Sequence, residues 1–167
     1  LKAGCTLVNT NPLYTVPEMI HQFQDCRPKA LVIIDLFGDK VAPTLKGVPI
    51  PHVILASLTD FYPAPRRFLV QTVLKLKGQL PKCGAPFTPF SKVISEGRKL
   101  YTEKKIGTDR SLLFKYLEGV TLESMAVLQY TGGTTGISKG AILSHRSLLS
   151  NVFQVLEHEK TTILAGQ

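Results

Sequence analysis

Glycine and threonine cluster around a single lysine between positions 130 and 140. The stretch reads Tyr130-Thr131-Gly132-Gly133-Thr134-Thr135-Gly136-Ile137-Ser138-Lys139-Gly140 and is called the Gly/Thr loop below. Glycines let the backbone turn its N–H groups toward an anion, threonine hydroxyls add hydrogen-bond donors, and a lysine adds a mobile positive charge. The composition therefore predicts a loop that binds the phosphates of a nucleoside triphosphate.

The order of these residues differs from the Walker phosphate loop. That pattern requires Gly-Lys-Ser/Thr at the start of a helix, whereas Lys139-Gly140 is followed here by the apolar Ala141-Ile142-Leu143. We therefore expect the loop to join two strands, one at residues 125–130 and one that starts near Gly140. The alternative is a glycine-rich β-turn that binds no ligand, and the residue types alone leave both interpretations open.

A strand, a turn and a helix open the sequence. Residues 1–8 are apolar enough for a strand, and Asn9-Thr10-Asn11-Pro12 is typical of a turn because asparagine tolerates left-handed geometry and proline presets φ. Thr15-Val16-Pro17-Glu18 has the pattern of a helical capping box, with Pro28 as the end of that helix. Because the chain starts with Leu1 instead of methionine, inside an apolar stretch, we expect it to be cut from a longer protein.

Two further strands predict the class of the fold. Residues 30–34 and 53–55 are apolar and rich in β-branched side chains, as buried strands are. A shorter helix is expected between them at residues 39–45, interrupted by Pro43. Strand, helix and strand in this order indicate an α/β fold with a parallel-rich sheet and flanking helices.

More helices are expected in the rest of the chain. A basic, amphipathic helix at residues 66–80 has an apolar face made of Leu69, Val73, Leu76 and Leu80. Val70 and Leu74 blur this face. The remaining elements are a loop at residues 81–89, a helix at 91–101, a polar connection at 103–110 and a last helix from Ser144 to residue 156.

Positive charge is concentrated in the middle of the chain. Lys and Arg number 20 against 12 Asp and Glu, a net charge of +8, and residues 65–116 hold twelve of the basic residues and three of the acidic ones. This basic segment fits a solvated surface, a helix that binds an anionic membrane, or a nucleic-acid interface. Nucleic acid would require aromatic residues at regular positions as stacking platforms. The aromatic residues are irregularly spaced and predict no such interface: Phe68, Phe87, Phe90, Tyr101 and Phe114.

Cysteine and histidine predict neither a metal site nor a disulfide framework. Cys5, Cys26 and Cys83 are widely spaced without a Cys-x-x-Cys pair, and the histidines show no metal-ligand spacing. No apolar run approaches the ~20 residues that span a bilayer, and the first residues given do not have the basic-then-apolar pattern of a leader with a small-residue cleavage site. We therefore expect a cytoplasmic protein, with peripheral contact at the inner membrane face as an open alternative.

The complete phrase around the loop is more specific than its composition. Tyr-Thr-Gly-Gly-Thr-Thr-Gly-x-x-Lys-Gly, continued by Ala141-Ile142-Leu143-Ser144-His145-Arg146, resembles the phosphate-binding signature of the adenylate-forming enzymes. Ser138 stands where proline is usual in that family, a change that some fatty acid ligases share. His145 fits either a general base near the phosphates or a surface residue at a helix start, and we favour the second because no partner is evident.

A second match resembles one branch of that family. Leu7-Val8-Asn9-Thr10-Asn11-Pro12-Leu13-Tyr14-Thr15 and the basic residues 66–82 are similar to the bacterial long-chain fatty acid–CoA ligases. The resemblance extends from Leu1 to about Val155. It implies that residues 1–167 are a partial N-terminal, ATP/AMP-binding domain with no internal boundary and a basic insert at about residues 64–116.

The resemblance also implies a reaction and its ligands. In the family a fatty acid attacks the α-phosphate of ATP to give an acyl-adenylate and pyrophosphate, and the thiol of coenzyme A then displaces AMP, with Mg²⁺ as the metal. Preorganised donors stabilise the charge of the departing pyrophosphate in such a reaction. The family binds the β- and γ-phosphates through the loop, which assigns that role to Thr131, Gly132, Gly133, Thr134, Thr135, Gly136 and Lys139.

The catalytic and metal-binding residues of the family find no match in this chain. The adenine-pocket element with its magnesium-binding glutamate, the ribose-binding aspartate and the adenylation lysine lie further along in family members. We therefore expect no catalytic or metal-ligating residue here, and no thioester synthesis by the 167 residues alone. Fatty acid, ATP and coenzyme A are the expected partners of the complete enzyme, and no nucleic acid is expected. A non-catalytic nucleotide-binding module is the alternative, and the sequence does not predict the oligomeric state.

Overall fold

The computed structural model describes residues 1–103, 115–131 and 138–165. Two compact units are formed, one by Leu1–Asn9 with the described residues from 115 onward and the other by residues 10–103. Each unit is defined by the contacts within it. The expectation of one partial domain without an internal boundary stays a prediction. The polar connection expected at residues 103–110 falls, from residue 104 on, outside the described residues.

The described residues alternate between strands and helices, which confirms the predicted α/β class. The strands are β1 (Leu7–Asn9), β2 (Ala30–Ile34), β3 (His52–Ala56), β4 (Thr88–Pro89), β5 (Met125–Thr131) and β6 (Lys139–Ser144). The helices are α1 (Val16–Cys26), α2 (Val41–Gly47), α3 (Ala64–Leu76), α4 (Phe90–Glu103) and α5 (His145–Ala165), with a 3₁₀ helix at Asp35–Lys40. The strands are paired in two sheets, β2-β3-β4 and β1-β5-β6.

The sheet of residues 10–103 is parallel throughout. β2 and β3 pair along their full length, from Ala30 opposite His52 to Ile34 opposite Ala56, which confirms the two predicted strands. They are only partly buried, because Leu31 and Val53 are buried while Val32 is 58% exposed. The stretch at residues 81–89, expected to be a loop, contains the two-residue strand β4. β4 pairs with β3 at one edge of the sheet. A proline is tolerated at this edge because no further strand requires a hydrogen bond from its backbone nitrogen.

α1 begins with the predicted capping box. The backbone N–H and the hydroxyl of Thr15 both donate to Glu18 Oε2, each at 2.7 Å. These hydrogen bonds hold the pKa of Glu18 below its ordinary value of 4.5, because they favour the ionised carboxylate. The helix ends at Cys26, and the following Arg27 is left-handed with φ 45°. The predicted end at Pro28 is therefore correct.

The buried face of α1 supplies much of the core of this unit. Met19 and Phe23 lie one helical turn apart, so they share that face. They pack with a strand and with the segment that follows α2, so burial of this face fixes α1 against the sheet. The core cluster consists of Met19, Phe23, Leu31, Val48 and Ile50.

Pro43 does not interrupt the helix between β2 and β3. The 3₁₀ helix at Asp35–Lys40 leads into α2, and Pro43 lies in the first turn of α2. An N–H in the first turn has no intrahelical acceptor, so its absence from proline costs no helical hydrogen bond. The expectation of an interrupted helix at residues 39–45 is therefore wrong.

α3 (Ala64–Leu76) is shorter at its end than the basic helix predicted at residues 66–80, so Leu80 lies outside it. The other three residues of the predicted apolar face are exposed to solvent. Leu69, Val73 and Leu76 are 64%, 41% and 83% exposed, respectively. The opposite side is half-buried and consists of Arg67, Val70, Gln71 and Leu74. Val70 and Leu74, which blurred the sequence pattern, are thus the apolar residues of α3 that pack inward. α4 confirms the helix predicted at residues 91–101.

The second sheet combines a parallel and an antiparallel pair. β1 is parallel to β5, and β5 is antiparallel to β6. β1 covers only Leu7–Asn9, so the strand expected at residues 1–8 is shorter and Asn9 belongs to it instead of to a turn. The turn comes later, where the N–H groups of Leu13 and Tyr14 donate to the side-chain and backbone oxygens of Asn11 at 3.0 Å each.

Candidate functional site

Thr131 and Lys139 lie opposite each other at one end of the β5–β6 pair. They are register partners in the antiparallel ladder, which places their Cβ atoms about 5 Å apart. Both side chains are exposed. Among residues 1–103, 115–131 and 138–165, no carboxylate forms an ion pair with the Lys139 ammonium. This end of the strand pair can therefore offer a hydroxyl and a cation side by side to an anion.

The Gly/Thr loop starts from one strand and ends on another, as its sequence predicted. β5 ends at Thr131 and β6 begins at Lys139. The other binding residues assigned by resemblance, Gly132, Gly133, Thr134, Thr135 and Gly136, lie outside the described residues. The phosphate-binding role of all seven residues therefore stays a prediction. Thr131 and Lys139 are the two of them whose positions the structure describes.

Gly140 allows the side chains of β5 to close over the start of β6. A Cβ atom at this position would lie 2.9 Å from Leu128 Cδ1 and 3.2 Å from Tyr130 Cζ. Tyr130, the register partner of Gly140, is 6% exposed and therefore packs inside the unit. Close packing next to Lys139 therefore requires glycine at position 140.

A polar pair missed by the sequence analysis lies on the same face as Thr131 and Lys139. Asn9 is the register partner of Gln129, and Asn9 Nδ2 donates to Gln129 Oε1 at 2.9 Å. Gln129 Nε2 in turn donates to the carbonyl oxygen of Tyr130 at 3.3 Å. Because side chains alternate between the faces of a strand, Gln129 and Thr131 share one face. The face that leads into the loop is therefore lined by amide, hydroxyl and ammonium groups.

His145 lies at the opposite end of β6 from Lys139. The five residue steps between Lys139 and Ser144, at about 3.4 Å each, span roughly 17 Å. Ser144 caps α5 by accepting from the Ser147 N–H at 3.2 Å, and the His145 N–H donates to the Ser124 carbonyl at 3.2 Å. This geometry agrees with the helix-start interpretation of His145. Next to it, Arg146 forms an ion pair with Glu123.

The described residues contain no cluster of three or more His, Cys, Asp or Glu side chains that could hold a metal ion. Cys5, Cys26 and Cys83 form no disulfide with one another. None of the helices in the described ranges is long and apolar enough to cross a membrane. The described part of the candidate site offers the Thr131 hydroxyl and the Lys139 ammonium, groups that suit an oxyanion.

Comparison with known proteins extends this picture over the whole chain. The family model described as AMP-binding enzyme matches residues 1–165. The long-chain-fatty-acid--CoA ligase of Yersinia pestis is 38% identical over 158 residues, which are 92% of this chain and 25% of that protein. The corresponding ligases of Haemophilus influenzae and Bacillus subtilis are 36% and 31% identical, over 92% and 90% of this chain and 25% of each protein.

The chain thus spans about a quarter of the length of the curated relatives that it matches. No solved structure matches it. The family model extends over both compact units and includes the strand pair that carries Thr131 and Lys139. The chain therefore belongs to the AMP-binding enzyme family.

Proposed function

We propose that the chain is part of the N-terminal, ATP/AMP-binding domain of a long-chain fatty acid–CoA ligase. The observation that carries the proposal is the pairing of Thr131 with Lys139 across β5 and β6, at the two ends of the Gly/Thr loop. The names of the similar bacterial ligases support the choice of a fatty acid as the substrate. The proposed domain has no internal boundary and contains a basic insert at about residues 64–116.

In the proposed reaction a carboxylate oxygen of the fatty acid attacks the α-phosphorus of ATP. The bond from that phosphorus to the bridging oxygen of the β-phosphate breaks, and pyrophosphate leaves with the bonding electron pair. The thiol of coenzyme A then attacks the acyl carbon, and AMP leaves. We assign to Lys139 the neutralisation of charge on the β- and γ-phosphates. Hydrogen bonds to the phosphate oxygens are assigned to the hydroxyl and backbone N–H groups of Thr131, Gly132, Gly133, Thr134, Thr135 and Gly136. Such preorganised donors lower the barrier most where charge develops.

Mg²⁺ does not fit the described donor set of this chain. A magnesium ion prefers carboxylate and water oxygens, whereas the face next to the loop offers the amides of Asn9 and Gln129, the Thr131 hydroxyl and the Lys139 ammonium. We therefore assign no metal ligand to these residues. The isolated 167 residues are proposed to lack ligase activity.

A cytoplasmic location with peripheral contact to an anionic membrane completes the proposal. Long-chain acids partition into lipid, so contact with a bilayer would bring the enzyme to its substrate. The basic segment at residues 65–116 supports this contact through its excess of positive charge.

The test is the replacement of Thr134 and Lys139 by alanine in the full-length protein. We expect ATP–pyrophosphate exchange and acyl-CoA formation to fall by about a hundredfold or more, because loss of oxyanion-type donors has effects of that size. Lys46→Ala, a substitution of an exposed lysine on α2, is the control and should retain wild-type rates. Unchanged turnover of fatty acid and ATP by the double variant would refute the proposed role of the loop. Nucleotide binding without any turnover by the wild-type protein would favour a non-catalytic module.

A further inference from the structure

An apolar stripe on α3 is exposed to solvent. Four side chains form it, and we call them the outward arc: Phe68, Leu69, Val73 and Leu76. They are 75%, 64%, 41% and 83% exposed, respectively. At about 100° per residue, they cover roughly 140° of the helix circumference. Thr72, whose hydroxyl donates to the Phe68 carbonyl at 2.8 Å, lies within the same arc. Exposure of several large apolar side chains on one side of a helix is a mark of an interaction site.

The orientation of α3 is fixed by polar contacts on its other side. Gln71 Nε2 donates to Thr59 Oγ1 at 2.9 Å, and Arg67 pairs with Asp60 at 3.5 Å. Thr59 is fully buried, and the Asp60 side chain is 6% exposed. α3 therefore cannot turn its outward arc toward the sheet without breaking these two contacts with buried groups.

Cations lie along both borders of the outward arc. By helical position, Lys75 follows one border, and Arg66 and Lys77 follow the other. No acidic residue occurs between Asp60 and Glu96. An apolar arc with cations at both borders is typical of helices that lie in the membrane interface, with apolar groups at the acyl boundary and cations at the head groups.

We propose that the outward arc of α3, with Arg66, Lys75 and Lys77, is the surface that docks this protein on an anionic lipid bilayer. A protein partner that matched the arc would need acidic groups on both sides of an apolar groove. A bilayer that contains anionic lipid supplies negative charge on all sides of an apolar interior, so it fits both borders at once. The inference deepens the proposed membrane contact and does not depend on the ligase reaction.

Apolar docking is tested by sedimentation of the full-length protein with vesicles. The vesicles contain phosphatidylglycerol in phosphatidylcholine, with pure phosphatidylcholine as the neutral reference. We expect Leu69→Gln with Leu76→Gln to weaken binding to the anionic vesicles by about tenfold or more, because two apolar side chains no longer insert. Leu13→Gln is the matched control, since Leu13 is 75% exposed and lies outside α3, and it should bind like the wild type.

The contribution of charge is tested by a matched pair of double variants. Lys75→Glu with Lys77→Glu should weaken binding to the anionic vesicles by about tenfold or more. Lys29→Glu with Lys46→Glu changes the net charge by the same amount at exposed positions outside the arc. That control should retain most of the wild-type binding, and added salt should weaken binding of the wild type.

Two outcomes would overturn the inference. One is binding of the α3 variants equal to that of the wild type, which would leave membrane contact to another surface. The other is a lower unfolding temperature of Leu69→Gln with Leu76→Gln without a loss of vesicle binding, which would mean that the rest of the full-length chain covers the arc. Acyl-CoA synthesis from a water-soluble short-chain acid should be unchanged in all these variants, so a failure of the proposed ligase function is detected separately.

Discussion

The amide of Asn9 is hydrogen-bonded to Gln129 across two parallel strands, with Nδ2 2.9 Å from Oε1. Gln129 lies two residues before Thr131, where β5 ends. The three-residue strand β1 is thus tied by a side chain, in addition to its backbone pairing, to the strand that leads into the Gly/Thr loop. The position of Thr131 therefore depends on the side chain of Asn9, 120 residues before Gln129 in the chain.

Replacement of Gln129 by methionine in the full-length enzyme should weaken the use of ATP. The variant keeps the size of the side chain but loses its hydrogen bonds to Asn9 and to the Tyr130 carbonyl. We expect the KM for ATP to rise by about two- to tenfold, the equivalent of one or two hydrogen bonds, with little change in the KM for the fatty acid. Gln129→Glu keeps the acceptor for Asn9 but places a carboxylate next to the Tyr130 carbonyl and the proposed phosphate site, so it should raise the KM for ATP at least as much. An equal rise in both KM values would contradict a positioning role.

Two glycine-to-alanine substitutions should change stability in opposite directions. Gly140→Ala places a methyl group 2.9 Å from Leu128 Cδ1, and we expect it to lower the free energy of unfolding by about 1–3 kcal/mol. Gly97 lies within α4 with open space around its Cα, so Gly97→Ala should raise stability by about 0.5–1 kcal/mol. Urea unfolding of both variants checks the pair. If Gly140→Ala raised stability as Gly97→Ala does, the packing against Leu128 would not require glycine at position 140.

The capping box of α1 should make stability depend on pH in the acid range. The folded-state pKa of Glu18 is held below 4.5 by its hydrogen bonds to Thr15, so the ionised carboxylate stabilises the fold above the unfolded-state pKa. This contribution should be lost as the pH falls through the folded-state pKa. Unfolding curves of the wild type and Glu18→Gln, measured between neutral pH and about pH 3, should differ at neutral pH and converge in acid. A constant difference would argue against the carboxylate as the source.

Thr59 should contribute to stability as the buried anchor of α3. Its hydroxyl accepts from Gln71 at 2.9 Å and is 3.0 Å from the Ser57 hydroxyl. Thr59→Val keeps the shape but leaves the Gln71 amide without this acceptor, so we expect a loss of about 1–3 kcal/mol. Thr72→Val on the exposed side of α3 is the control and should change stability by less than about 0.5 kcal/mol. Denaturant unfolding of the two variants makes the comparison.

Local signals were sufficient for the elements whose pattern is set by neighbouring residues. The capping box at Thr15 and Glu18, the helix end before Pro28 and the strands β2 and β3 were all predictable, because hydrogen bonds and hydrophobicity over a few residues define them. The class of loop was predictable in the same way, since the order Lys139-Gly140 followed by apolar residues excludes a helix start.

The orientation of α3 could not be predicted from its own residues. The helix has apolar side chains on two sides, and Val70 and Leu74 pack inward while Leu69 and Leu76 do not. Gln71 and Arg67 decide which side of α3 packs inward, because they bind Thr59 and Asp60 in the preceding turn. The Asn9–Gln129 pair was missed for a similar reason, because its members are brought together by the sheet.

The parallel pairing of β1 with β5 also has a consequence for synthesis on the ribosome. The hydrogen-bonded Asn9 and Gln129 are 120 residues apart in the chain. At about 5–20 residues per second, β1 leaves the ribosome roughly 6–24 s before its partner strand has been made. Residues 10–103 can complete their own sheet and core in that interval. The segment that forms β1 must therefore remain without this partner strand until β5 emerges.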